Sequence, residues 1–124
     1  SYLFISHDLS VVHHFADRVL VMYLGRLVET GRTDTLWRGS AHPYTRALLG
    51  AAPIANPRRR DELRREFLTG ELPNPMNPPA GCAFSSRCKY AQAQCREVAP
   101  VLRPFGDDHS AACHFDLFSQ ATRN

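Results

Sequence analysis

Four cysteines, Cys82, Cys88, Cys95 and Cys113, fall in the last third of the chain, with five, six and seventeen residues between successive members. Thiolates are soft metal ligands and the partners of disulfides, so this clustering calls for a shared cause. Three causes compete: two disulfides, a tetrahedral zinc site, or an iron–sulfur cluster. Zinc sites usually carry close C-x-x-C pairs, which are absent here, although loops can gather distant thiolates around one ion. A four-cysteine iron–sulfur cluster needs only thiolates converging from loops, and its larger core accepts wider spacing. His109 and His114 flank Cys113 and would be substitute ligands for zinc. The preferred reading gives them a turn or a hydrogen bond beside the site.

A second constellation is Phe4-Ile5-Ser6-His7-Asp8, a histidine placed where an apolar run ends and a helix begins. Loops at the carboxyl ends of parallel strands are where α/β folds bind ligands, so the position suits an imidazole aimed at a phosphate. On spacing alone such a histidine is by default structural.

The elements that must position these groups follow from periodicity and punctuation. Tyr2–Ile5 reads as a short strand, Ser6-His7-Asp8 as a turn, and Asp8 as the cap of a helix with Leu9, Val12, Phe15 and Ala16 on one side. His13 and His14 fall on its polar face. Val19–Leu24 is continuously apolar, and Gly25-Arg26 turns it into Leu27-Val28-Glu29, which predicts a hairpin ending at Thr30-Gly31. Tyr23 and Trp37, with Phe15, read as core or subunit interface. Thr33 or Asp34 is expected to cap a short helix through Leu36 and Trp37, and another starts near Pro43 with Tyr44, Ala47 and Leu48 as its apolar face. Pro53 and Pro57 bracket a linker, and Arg58–Glu66 is a mixed charge run that reads as a solvated face. Residues 73–81 hold four prolines, which suits an extended strap and excludes helix or central strand.

Composition narrows the function classes. At 124 residues and 14.0 kDa the chain holds one small domain. Its longest apolar run is the six residues Val19–Leu24, too short to cross a membrane. Lys89 is the only lysine, in the context Arg87-Cys88-Lys89-Tyr90, so no phosphate-binding GxxxxGK[ST] loop is present. The net charge of +3 is small and the arginines are scattered apart from one run, which leaves no basic stripe for nucleic acid. The opening Ser1-Tyr2-Leu3-Phe4-Ile5 lacks the features of a secretory signal and an initiator methionine. The chain is expected to start inside an element, as a fragment would.

Ser6-His7-Asp8-Leu9-Ser10-Val11-Val12, followed by Ala16-Asp17-Arg18 and the run to Glu29, resembles the switch-histidine segment and following hairpin of ABC-transporter nucleotide-binding domains. His42-Pro43-Tyr44-Thr45-Arg46-Ala47-Leu48-Leu49 resembles the signature of the oligopeptide and dipeptide importer ATPases. Gly70-Glu71-Leu72-Pro73-Asn74-Pro75 and Asn77-Pro78-Pro79-Ala80-Gly81-Cys82 extend the match toward the second of the two ATPase subunits such importers carry. The order Gly81-Cys82-x-Phe84-x-x-Arg87-Cys88, Cys95, then His109-x-x-x-Cys113-His114 is similar to their C-terminal extension. One departure is Lys89, where many relatives have proline.

The resemblance implies an α/β fold class: the C-terminal end of a P-loop ABC ATPase domain over residues 1–40, with strand, helix and hairpin, then a loop-rich cysteine-containing extension over residues 41–124. It implies ATP and Mg as cofactors of the whole subunit and His7 as the switch histidine that positions the γ-phosphate and attacking water. The P-loop, Q-loop, signature and Walker B glutamate would lie upstream, so the chain alone is expected to be inactive. A cytosolic setting disfavours disulfides, and a 4Fe-4S cluster on Cys82, Cys88, Cys95 and Cys113 is associated with the family, with zinc the alternative. The cluster's role would be structural. Implied partners are membrane permease subunits, a second ATPase subunit in a homo- or heterodimer and, indirectly, a solute-binding protein, with the subunit peripheral on the cytoplasmic face of the membrane. The competing class is a stand-alone, non-catalytic metal-binding or interaction module.

Overall fold

Residues Arg18–Tyr23 (β1) and Arg26–Arg32 (β2) form the expected hairpin. The computed structural model describes residues 1–50, 58 and 73–117. Although β1 is apolar throughout its second half, it alternates. Val21 and Tyr23 are buried while Leu20 and Met22 are more than half exposed, as a sheet with one covered face requires. The turn is Leu24-Gly25, with φ of 49° and 75°. Two positive φ values give the hand of twist that a two-residue hairpin needs. Glycine adopts it freely, whereas leucine holds it at a penalty of about 1–2 kcal/mol. Pairing slips after Val21, which faces Glu29, because Met22 faces Leu27. Val28 is therefore the extra residue of a bulge.

The same sheet takes two strands from the far end of the sequence. Arg103–Gly106 (β3) and His109–Ala111 (β4) form a second hairpin, and β4 pairs antiparallel with β2 through Glu29 opposite Ala111 and Thr30 opposite Ser110. The strand order is β1-β2-β4-β3, so the sheet draws on both sides of residue 40. Beside β3 and β4 the tail, expected to be loop-rich, has one five-residue helix among its described residues from 73 onward. These strands are three and four residues long and one contains Pro104, too little for an alternation to show.

The strand expected over Tyr2–Ile5 is not formed. Tyr2, Leu3 and Ile5 are at least 90% exposed, and no described strand lies beside them to take up their N–H and C=O groups. Helix Leu9–Phe15 (α1) follows, with the Asp8 carboxylate accepting from the Ser10 and Val11 amides at 3.0 and 3.3 Å. Helix Thr33–Gly39 (α2) lacks the expected side-chain cap, because Arg32 occupies that position. The Thr33 hydroxyl instead donates to the Ala16 carbonyl, and the Thr33 amide to that of Asp17, which fastens α2 to the entry of β1. Helix Pro43–Gly50 (α3) begins at its proline as expected and buries Ala47 and Thr45. The linker between Pro53 and Pro57 and nearly all of the charge run lie outside the described residues. Arg58 is helical and exposed.

Residues 73–81 contain no helix or strand. The Asn74 side chain accepts from the Met76 amide at 2.9 Å and its carbonyl from the Asn77 amide at 3.1 Å, so the strap is bent at its middle by an Asx turn. It ends at Gly81, where a Cβ would stand 2.2 Å from the Cys95 carbonyl oxygen. That close approach allows the Cys82 amide to donate to the same carbonyl at 2.7 Å, joining the strap to helix Ala93–Glu97 (α4). The core lies between the hairpin and this segment: Val21, Tyr23, Val28 and Leu36 pack with Ala83 and Phe84.

Candidate functional site

Glu29 is fully buried on β2. A buried carboxylate is unfavourable unless its oxygens are taken up by donors. Here Oε1 accepts from the Ala41 amide at 2.7 Å and from the His109 Nε2–H at 2.6 Å, while Oε2 accepts from the His42 amide at 3.0 Å. One side chain thus ties the hairpin to the residues that start α3 and to β4.

His42 is 1% exposed. The Tyr44 amide donates to its Nδ1 at 3.1 Å, which caps the first turn of α3 and leaves the ring proton on Nε2. Burial pushes its pKa down to about 4, with the Glu29 charge acting in the opposite sense. The ring is therefore neutral at physiological pH. Tyr23, Tyr44 and His42 surround Phe84 at centroid distances of 5.3, 5.6 and 5.9 Å, so the hairpin, the histidine-proline-tyrosine segment and the segment that carries Cys82 and Cys88 share one aromatic packing unit. Burial also raises the Tyr44 phenol, with help from Tyr23.

Phe84 and His42 form part of the wall of a cavity lined by all four cysteines, Cys82, Cys88, Cys95 and Cys113. The cysteines are not paired as disulfides. Burial pushes the Cys88 thiol up to about 11 and raises those of Cys82 and Cys113, and neighbouring cysteines add to each shift. No carboxylate lines this cavity, so its donor set is soft and suited to zinc or iron–sulfur chemistry. Among the described residues, however, no three His, Cys, Asp or Glu side chains gather closely enough to hold a metal ion. The thiols surround one space without meeting at a point.

The two flanking histidines have hydrogen-bonding roles. His114 also lines the cavity, but its Nε2–H donates to the Val98 carbonyl at 2.8 Å and its Nδ1 accepts from the Gln94 amide at 3.3 Å. Both nitrogens are committed. His109 is spent on Glu29. Arg103 secures the last cysteine from outside, its Nε–H donating to the Cys113 carbonyl at 2.7 Å while a terminal nitrogen pairs with Asp116 at 2.8 Å.

His7 stands apart from this cavity, exposed in the bend before α1. The neighbouring Ser6 hydroxyl accepts from the Asp8 amide at 3.0 Å, which fixes the bend next to the helix cap. His13 and His14 are exposed, and His13 stacks on Trp37 at 4.8 Å. Phe15 is 74% exposed, whereas Tyr23 is core. Sequence reasoning missed Glu29, which looked like the polar end of a strand.

The family described as the C-terminal region of oligopeptide/dipeptide transporters matches residues 28–95, a span that holds Glu29, His42 and the first three cysteines. The chain is 55% identical over 117 residues to the dipeptide transport ATP-binding protein DppF of Haemophilus influenzae, covering 94% of this chain and 35% of that protein. It is 49% identical over 113 residues to the oligopeptide transport ATP-binding protein OppF of Escherichia coli, covering 91% and 34%. With the putative oligopeptide transport ATP-binding protein YkfD of Bacillus subtilis it shares 47% identity over 114 residues, covering 92% and 35%. The chain spans about a third of the length of the curated relatives it matches. With more than half of its residues matched and relatives of this kind along nearly all of it, the chain belongs to the oligopeptide/dipeptide transporter C-terminal region family.

Proposed function

We propose that this chain is the C-terminal part of an ATP-binding subunit of an ABC importer that takes up dipeptides or oligopeptides. The match over residues 28–95 carries the reading, and relatives named as dipeptide and oligopeptide transport ATP-binding proteins support it. Mg-ATP, when bound by the assembled subunit, supplies the phosphoryl group. This chain contributes His7, whose exposed ring before a capped helix can orient the γ-phosphate and the attacking water. The phosphate cradle and the general base belong to other parts of the subunit. Among the described residues no helix is long and apolar enough to cross a membrane. In this reading attachment to the cytoplasmic face runs through permease subunits, alongside a second ATPase subunit and, indirectly, a solute-binding protein. The test is ATP-driven peptide uptake by the assembled transporter. His7→Ala is expected to abolish uptake while leaving assembly intact, and uptake at the wild-type rate would overturn the role of His7.

For the extension we propose a structural 4Fe-4S cluster on Cys82, Cys88, Cys95 and Cys113. What supports the reading is that all four thiols line one cavity without a carboxylate among them, a soft donor set of the kind iron–sulfur clusters use. Such a group would stabilise a segment with little apolar core of its own. Anaerobic purification with iron and acid-labile sulfide analysis is expected to find about four of each per chain. Zinc without iron, or four free thiols in a folded protein, would overturn this reading.

A further inference from the structure

We propose that Thr33 and His13 are positioning residues for His7: together they moor α1 to α2 and so fix the bend that carries the imidazole. The inference rests on the role proposed for His7 and names what holds that ring in place. None of the seven residues of α1 is buried, and a helix this short takes its stability and direction from tertiary contacts rather than from its own hydrogen bonds. In α2 the situation is reversed. Leu36 is 1% exposed in the core and Trp37 packs against that core, so α2 is the fixed base.

Two contacts join the helices. The hydroxyl of Thr33, a buried residue, donates to the carbonyl of Ala16, the C-cap of α1, and the Thr33 amide donates to the next carbonyl, that of Asp17, at 3.1 Å. Within the last turn of α1 the His13 ring stacks on Trp37, with centroids 4.8 Å apart and planes inclined by 22°. Both contacts grip the C-terminal end of α1, whereas His7 sits beyond its other end, beside the Asp8 cap. From Asp8 to Ala16 the helix runs roughly 12 Å at 1.5 Å per residue, so a tilt of about 5° at Ala16 moves the His7 end by about 1 Å. A displacement of that size at a reacting group costs on the order of 100-fold in rate. Leverage along α1 is what gives two modest contacts their hold on the chemistry.

The test uses the assembled transporter. Thr33→Val removes the hydroxyl, keeps the branched shape and leaves the backbone contact to Asp17, while His13→Ala removes a ring from an exposed position. Thr33→Ser and His13→Phe each put the lost contact back. Thr33→Val combined with His13→Ala is expected to lower kcat for ATP hydrolysis about tenfold with KM for ATP unchanged, because a displaced His7 weakens the transition state and not nucleotide binding. In the nucleotide-free protein the same pair is expected to speed amide hydrogen exchange over residues 9–15. Thr33→Ser combined with His13→Phe should return both readouts to near wild type. Wild-type kcat or wild-type exchange in the first pair overturns the proposal, and so does failure of the second pair to restore them. If the first pair does not assemble, His13→Ala alone decides the matter by the same two readouts. Hydrolysis at the wild-type rate by His7→Ala would instead overturn the reading of His7, and this inference with it.

Discussion

Replacing Glu29 with alanine is expected to lower the stability of the chain by about 3–5 kcal/mol, from leaving three buried donors without their acceptor. The loss has three parts. The amides of Ala41 and His42 are left without acceptors in a buried corner, and His109 loses its carboxylate. Each orphaned buried donor is worth about 1–3 kcal/mol. Glu29→Gln should fall between wild type and alanine, because one amide oxygen can still accept while its NH2 group faces a donor. Urea unfolding measures this as a lower midpoint at unchanged slope. A loss below about 1 kcal/mol for the alanine variant would show that the three bonds do not act as a buried unit.

The second large effect is a dependence on acid carried by His42. Its pKa is about 4 in the fold against 6.5 in an unfolded chain, so as pH falls the unfolded state takes up the proton first. Stability from this source is complete above pH 6.5 and is lost as pH falls toward 4, an amount of about 3 kcal/mol at roughly 1.4 kcal/mol per unit. Burial causes the depression and the Glu29 charge opposes it, so desolvation is the winning effect. The measurement is the unfolding free energy of the metal-free chain across this range, for wild type and His42→Asn. The wild-type curve should drop more steeply on the acid side. Parallel curves would mean that His42 is protonated equally in both states.

Much of the local structure was legible in the sequence. Gly25 marked the turn, Asp8 the helix cap and Pro43 the start of α3, because each of these depends on residues within a few positions. The exposed outer face of β1 was hidden by its unbroken apolar run, since Leu20 and Met22 look no different from Val21 in composition. Tyr2–Ile5 has strand chemistry but no neighbouring strand here, and pairing cannot be read from one segment. The cysteines were visible as a cluster, yet their meeting around one cavity depends on Gly81 letting the strap lie on α4. Least legible was Glu29. Nothing in Leu27-Val28-Glu29 signals that its carboxylate is buried, because its partners come from the two residues before α3 and from a strand too short to recognise.

Those partners set the order in which the molecule can be assembled. Glu29 and His109 are 80 residues apart, and β4 adds to the sheet only against β2. The β1–β2 hairpin closes over a two-residue turn and can form early, whereas joining β4 requires closing a loop that contains α2, α3, the strap and most of the cysteines. Until that closure, the Glu29 carboxylate remains in water and the edge of β2 is open to pairing with another chain. The long-range contact that makes the folded sheet continuous therefore also makes its completion the slow step, with the exposed β2 edge as the point from which association between unfinished chains would begin.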